Sequence, residues 1–146
     1  MGFFNFLKSK PSPKADYISG IGDFIYSSDF GENAYRGEIN FTNLEYKTEV
    51  VFPSDTKDIS DYQISYFKEI DNNIKAILDY ASKMPDSKIE LSKCNVVSVL
   101  IPDKENCNYN VSAELVVTQK EINNIYGKSI YSLIMNELKV DQIITI

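Results

Sequence analysis

Ser60-Asp61-Tyr62-Gln63-Ile64-Ser65-Tyr66-Phe67-Lys68-Glu69-Ile70 opens the stretch on which the fold turns. Ser60 and Gln63 fit a capping box: the serine accepts from the N3 amide and the glutamine reaches back to the N-cap. Ile59 and Ile64 stand where a hydrophobic staple would hold the entering chain. Apolar residues then recur at Phe67, Ile70, Ile74, Ile77, Leu78 and Ala81, and Pro85 marks the stop. This spacing predicts one amphipathic helix over residues 61–84, roughly 36 Å long and able to cover a sheet.

Upstream, the period changes from helical to two. Residues 23–28 form a short β-prone run. Over residues 36–41, Ile39 and Phe41 alternate with Glu38 and Asn40. Over residues 45–52, Tyr46, Thr48, Val50 and Phe52 oppose Glu45, Lys47, Glu49 and Val51. Such alternation indicates half-buried strands, here joined as a hairpin through Thr42-Asn43-Leu44. Downstream, the apolar run 96–101 and the alternating run 110–118 predict a second antiparallel hairpin.

The C-terminal third has two parses. Thr118-Gln119-Lys120-Glu121 is again a capping-box pattern, and Ile122, Ile125, Tyr126, Ile130, Leu133 and Ile134 follow at helical spacing. A helix over residues 119–138 is the leading expectation, although Gly127 inside it costs about 1 kcal/mol relative to Ala. The other parse ends a short helix at Gly127 and makes residues 129–138 a strand. Residues 140–146 read as a docked strand. The expected architecture is α+β: an antiparallel sheet of five to six strands, covered on one face by one long and one shorter helix.

Residues 9–14, Ser-Lys-Pro-Ser-Pro-Lys, have linker composition, so residues 1–15 are read as a tail and 16–146 as one domain. The tail contains Phe3, Phe4, Phe6 and Leu7, an apolar docking segment. It lacks the length and the preceding positive charge of a signal peptide. No stretch approaches the roughly 20 apolar residues of a membrane span. The expected compartment is cytoplasmic. Cys94 and Cys107 are spaced so that they could pair, but nothing in the sequence requires it.

The chain has no histidine, which excludes Ser-His-Asp and Cys-His catalysis and imidazole-ligated zinc. No phosphate loop is present: Gly20-Ile21-Gly22 lacks the third glycine of the dinucleotide fingerprint. Asp55-Thr56-Lys57-Asp58 has neither the period nor the glycine of a calcium loop. No cofactor is expected. The formal net charge of −6 disfavours nucleic acid and suits a basic protein partner.

Glu38, Glu45 and Glu49 share one face of the predicted hairpin, and Tyr35 and Tyr46 lie beside them. Tyrosine supplies contact area and carboxylates supply steering, so these five are the candidate partner-binding residues. The Met1–Lys8 opening, the Tyr35-Arg36-Gly37-Glu38-Ile39-Asn40-Phe41 strand and the long helix after Phe52-Pro53-Ser54 resemble small uncharacterised bacterial domains, some of them immunity-protein-like. The resemblance covers the first two-thirds of the chain and assigns no site residue. It implies a domain that neutralises a toxin by binding it. The expected function is non-enzymatic protein binding, with an assembly module docking through the N-terminal segment as the alternative. A carboxylate-based hydrolase is the second alternative and would need a deep pocket holding two carboxylates.

Overall fold

The computed structural model describes residues 16–18, 21–28, 33–55, 58–104, 111–120 and 127–146. Strands β1 (Asp16–Ile18), β2 (Gly22–Ser27), β3 (Ala34–Asn40) and β4 (Lys47–Pro53) precede helix α1 (Asp61–Ser82). Strands β5 (Cys94–Leu100), β6 (Ala113–Lys120), β7 (Lys128–Asn136) and β8 (Lys139–Thr145) follow it. The strands lie in the sheet in chain order. Seven of them, β2 to β8, form one mixed sheet, and the short β1 pairs with the start of β2. All neighbours are antiparallel except β4 and β5, which run parallel.

The helix forms where its caps and period place it. Ser60 accepts from the Gln63 N–H at 3.1 Å, and the Gln63 side chain accepts from the Ser60 N–H at 3.1 Å. The fully buried Gln63 also donates through Nε2 to the carbonyls of Pro53 and Ile101, both at 2.9 Å. One side chain thus caps the helix and ties it to the ends of β4 and β5. Phe67, Ile70, Ile74, Ile77, Leu78 and Ala81 bury the inner face of α1 against the sheet. Phe67 packs on Phe41 and Phe52, with ring centroids 5.4 and 6.3 Å apart. Asp71, on the same helix, accepts from the Thr42 N–H and hydroxyl at 2.8 Å each, pinning the β3–β4 connection.

The helix is also why β4 and β5 are parallel. A chain that leaves one strand, crosses the sheet as a helix and returns beside it re-enters in the same direction. The ladder runs from Glu49↔Ser98 to Val51↔Leu100, and the Ile101 N–H extends it to the Val51 carbonyl at 2.9 Å. At its other end side chains take over. The Val96 N–H donates to the Tyr46 hydroxyl at 2.8 Å, and the Thr48 hydroxyl donates to the Val96 carbonyl at 3.0 Å. Both backbone groups of Val96 are satisfied there, beside the irregularity between Val96 and Ser98.

Two expectations are corrected. The sheet is mixed and larger than five to six antiparallel strands, and α1 is the single helix among the described residues. The helix expected over residues 119–138 is not formed: β7 occupies Lys128–Asn136, paired to β6 on one side and to β8 on the other. Tyr131, Leu133 and Met135 are buried at period two, and pairing along both edges outweighs the helical spacing of the same segment. Thr118, Gln119 and Lys120, expected to cap that helix, end β6 instead. Gln119 is buried, accepting from the Glu90 N–H at 2.7 Å and donating to the Lys88 carbonyl at 3.0 Å. Ile122, Ile125 and Tyr126 lie outside the described residues, as do Phe3, Phe4, Phe6, Leu7 and Cys107. Cys94 is a buried free thiol whose pKa burial pushes up.

The β2–β3 contact depends on two glycines. Gly22 has φ +138°, and a Cβ there would meet the Ile39 side chain. A Cβ on Gly37 would run into the Asp23 carbonyl and the Phe24 ring. The bare backbone of Gly37 lets Phe24 lie over β3 and pack on Phe52, 5.1 Å between ring centroids.

Candidate functional site

Strand pairing sorts every residue onto one of two faces, because directly opposite residues share a face. Gly37, Val50, Val99, Leu115 and Leu133 form one cross-sheet row under α1. The neighbouring rows face away from the helix. One runs Ile25, Arg36, Val51, Leu100, Glu114, Ile134, Gln142, and another runs Glu38, Glu49, Ser98, Val116, Ser132, Ile144. Among the described residues no helix covers this second face.

The helix-free face has two halves. Over β2 to β4 it is mainly charged, with the exposed Ile25 of β2 among the charges. Asp23, Arg36, Glu38, Lys47, Glu49 and Val97 line an open trough of about 710 Å³. Glu38 stands directly opposite Glu49, and among the described residues neither carboxylate has a hydrogen bond or ion pair. Over β5 to β8 the face is mainly apolar, with Val97, Ile130 and Ile144 each more than a third exposed and Val116 and Ile134 half-buried between them. Glu114 interrupts it and accepts from the Ser132 hydroxyl at 2.5 Å.

The candidate partner-binding residues divide accordingly. Glu38 and Glu49 meet in the trough. Glu45 is exposed in the β3–β4 connection, outside the ladder. Tyr35 is buried on the helix side, opposite Phe52 and 5.0 Å from the Tyr26 ring. Tyr46 is half-buried against the core, its hydroxyl engaged by Val96, and burial raises its pKa. Asp23 and the exposed apolar residues of β5, β7 and β8 were not anticipated in this site. Asp23 has the parity that places it on the face of Ile25, so its side was readable once the strand was placed.

A smaller niche of about 430 Å³ lies at the N-terminal end of α1, lined by Tyr62, Tyr66, Glu69, Lys104, Ser112 and Glu137. Tyr62 stacks on Tyr66 with ring centroids 5.9 Å apart. The Tyr66 hydroxyl donates to the Glu137 carbonyl, and the Glu137 N–H donates to the Ser112 hydroxyl at 3.0 Å. Glu137 is thereby held at φ 55°, in the tight β7–β8 turn between Asn136 and Lys139. Burial, followed by the neighbouring Tyr62, holds the Tyr66 hydroxyl well above its ordinary pKa. These contacts fix a turn and engage the polar atoms of the niche with one another.

Among the described residues, no group of three or more Asp, Glu, Cys or His side chains is placed to hold a metal ion, and no helix is long and apolar enough to cross a membrane. No family model, curated protein or solved structure matches the chain.

Proposed function

We propose that this chain is a non-enzymatic protein-binding domain that presents the helix-free face of its sheet to a basic partner. The immunity-protein form of this reading, in which the face occludes a basic surface of a toxin, is its most specific version. The observation that carries it is the Glu38–Glu49 pair. Two carboxylates directly opposite each other on a sheet are mutually destabilising. Asp23 adds a third, against the cations Arg36 and Lys47 in the same trough. A lysine or arginine supplied from outside would relieve that repulsion, so part of the cost held in the free protein returns on binding. The adjoining exposed Val97, Ile130 and Ile144 supply apolar area for the same contact.

The test is capture from host lysate on the immobilised full chain, at low and moderate salt. Wild type is compared with Glu38→Lys/Glu49→Lys and with Glu45→Lys. Recovery of one basic protein, lost as salt rises and lost in the double variant but retained by Glu45→Lys, supports the reading. Equal recovery by wild type and the double variant removes the trough as the binding surface.

A further inference from the structure

We propose that β8 is the seam of a symmetric dimer, in which residues 142–146 of one copy pair antiparallel with the same residues of a second copy. The proposal goes beyond the reading of the helix-free face as a partner's site and does not depend on it. β8 ends the sheet order, so one of its edges pairs with β7 and the other with no described strand. Hydrogen-bond phase decides which backbone groups lie on the open edge. The Ile146 N–H donates to the Ile130 carbonyl at 2.9 Å, and Ser132↔Ile144 and Ile134↔Gln142 continue that register in steps of two. In an antiparallel ladder such residues turn their backbone groups toward the partner strand, and the residues between them turn theirs away. The N–H and C=O of Ile143 and Thr145 therefore point outward, and among the described residues nothing pairs with them.

Natural sheet edges are blunted by charge, proline or a bulge. β8 has such devices only at its start: Lys139, Asp141, and the irregularity that leaves Asp141 without a partner on β7. Residues 142–146, Gln-Ile-Ile-Thr-Ile, carry none of them, and Ile144 is 41% exposed. Ile144 is the middle of that stretch. Antiparallel pairing of the stretch with itself sets Ile144 opposite Ile144, Ile143 opposite Thr145 and Gln142 opposite Ile146. Each of the two Ile143–Thr145 pairs then exchanges both of its backbone hydrogen bonds. A second copy is the occupant because the stretch is its own complement: uncharged, largely apolar, and matched in length and phase when turned about Ile144. Opposite residues share a face, so the two helix-free faces look the same way. Their apolar halves adjoin at the seam and their charged troughs lie at the outer ends.

The test begins with sedimentation of the full chain over a wide concentration range, and a dimer is the expected largest species. Each copy carries a formal charge of −6, so association should strengthen as salt rises. Thr145→Pro removes an outward N–H that the β7 ladder does not use. It should weaken association about tenfold or more, with the circular dichroism spectrum unchanged. Register is read by disulfide capture in a Cys107→Ser background, where the buried Cys94 is the remaining native thiol. Facing α-carbons at position 144 lie about 4.5 Å apart in this pairing, within disulfide reach, whereas those at position 142 lie about 14 Å apart. Ile144→Cys should therefore cross-link to itself on mild oxidation, and Gln142→Cys should not. Where Thr145→Pro disturbs the spectrum, the two cysteine variants decide alone. A monomer at every concentration overturns the proposal. So does a dimer that keeps its affinity in Thr145→Pro, or one that dissociates as salt rises, since the contact then lies elsewhere than the uncharged edge. Cross-linking through Gln142→Cys equal to or above that through Ile144→Cys overturns the pairing. Growth beyond the dimer overturns it too, by joining β8 to a different edge of the next copy.

Discussion

Gln63 and Gln119 are both buried, and they hold the two ends of the crossover that joins the halves of the sheet. Gln63 bonds the ends of β4 and β5 at the start of α1, and Gln119 bonds residues 88 and 90 where the chain returns. Replacing either by leucine keeps the volume and strands its partners. Gln63→Leu leaves two carbonyls and the Ser60 N–H without this partner, and Gln119→Leu leaves one carbonyl and one N–H. The expected losses are about 3 and about 2 kcal/mol, read from urea unfolding. The two share no partner, so the double variant should be additive within about 0.5 kcal/mol.

Relieving the Glu38–Glu49 repulsion should have opposite effects on stability and on binding. Glu38→Gln is expected to raise stability by about 0.5 kcal/mol at low ionic strength while weakening capture of a basic partner. The stability gain should shrink as salt rises, because the pair is exposed. Urea titrations at two salt concentrations check both statements.

The β7–β8 turn carries a side chain where glycine is better suited. Glu137 sits at φ 55°, and the Tyr66 and Ser112 contacts that hold it there use its backbone groups alone. Glu137→Gly keeps those bonds and removes the Cβ clash, partly offset by the entropy of a glycine in the unfolded chain. A net gain of about 0.5 kcal/mol is expected. Tyr66→Phe strands the same carbonyl and should cost about 1–2 kcal/mol. Thermal unfolding distinguishes the two.

Stability should fall in alkali, where the hydroxyls of Tyr46 and Tyr66 are driven to ionise. Burial raises the pKa of both Tyr46 and Tyr66 in the fold, so the native state prefers their protonated forms. The stabilisation linked to this preference is fully present below the ordinary tyrosine value of about 10 and is lost as pH climbs from there toward the folded values. Unfolding midpoints measured from neutral pH upward should bend down above about 10. The bend should be shallower in Tyr66→Phe and in Tyr46→Phe than in wild type, after allowing for each variant's lower starting stability.

The parts of this architecture that were readable are those fixed by local chemistry. Ser60 and Gln63 announce the helix, and the alternation around Ile39 and Val50 gives β3 and β4 with their faces. Tyr35 shares parity with Ile39, and Tyr46 with Thr48 and Val50, so their inward placement was available from the same pattern that set Glu38 and Glu49 outward. The β7 strand was not readable in the same way. Ile130, Leu133 and Ile134 satisfy a helical period, while Tyr131, Leu133 and Met135 satisfy a period of two, and only pairing with β6 and β8 decides between them. The parallel β4–β5 pair had a signal that period two does not carry: a long helix standing between two strands. The apolar half of the candidate site depended on β7 and β8 being placed, so it was out of reach until the C-terminal third was assigned.

The order of strands in the sheet has a consequence for how the molecule assembles. Since chain order and sheet order coincide, nearly every ladder joins neighbours in sequence and closes a short loop. The exception is β4–β5, where Val50 pairs with Val99 across 49 positions of chain. The entropy of long-range closure is therefore concentrated in one seam. The two half-sheets can form from local hairpins, and the speed limit of folding is set where they join, at the short parallel ladder that Tyr46 and Thr48 extend by holding Val96.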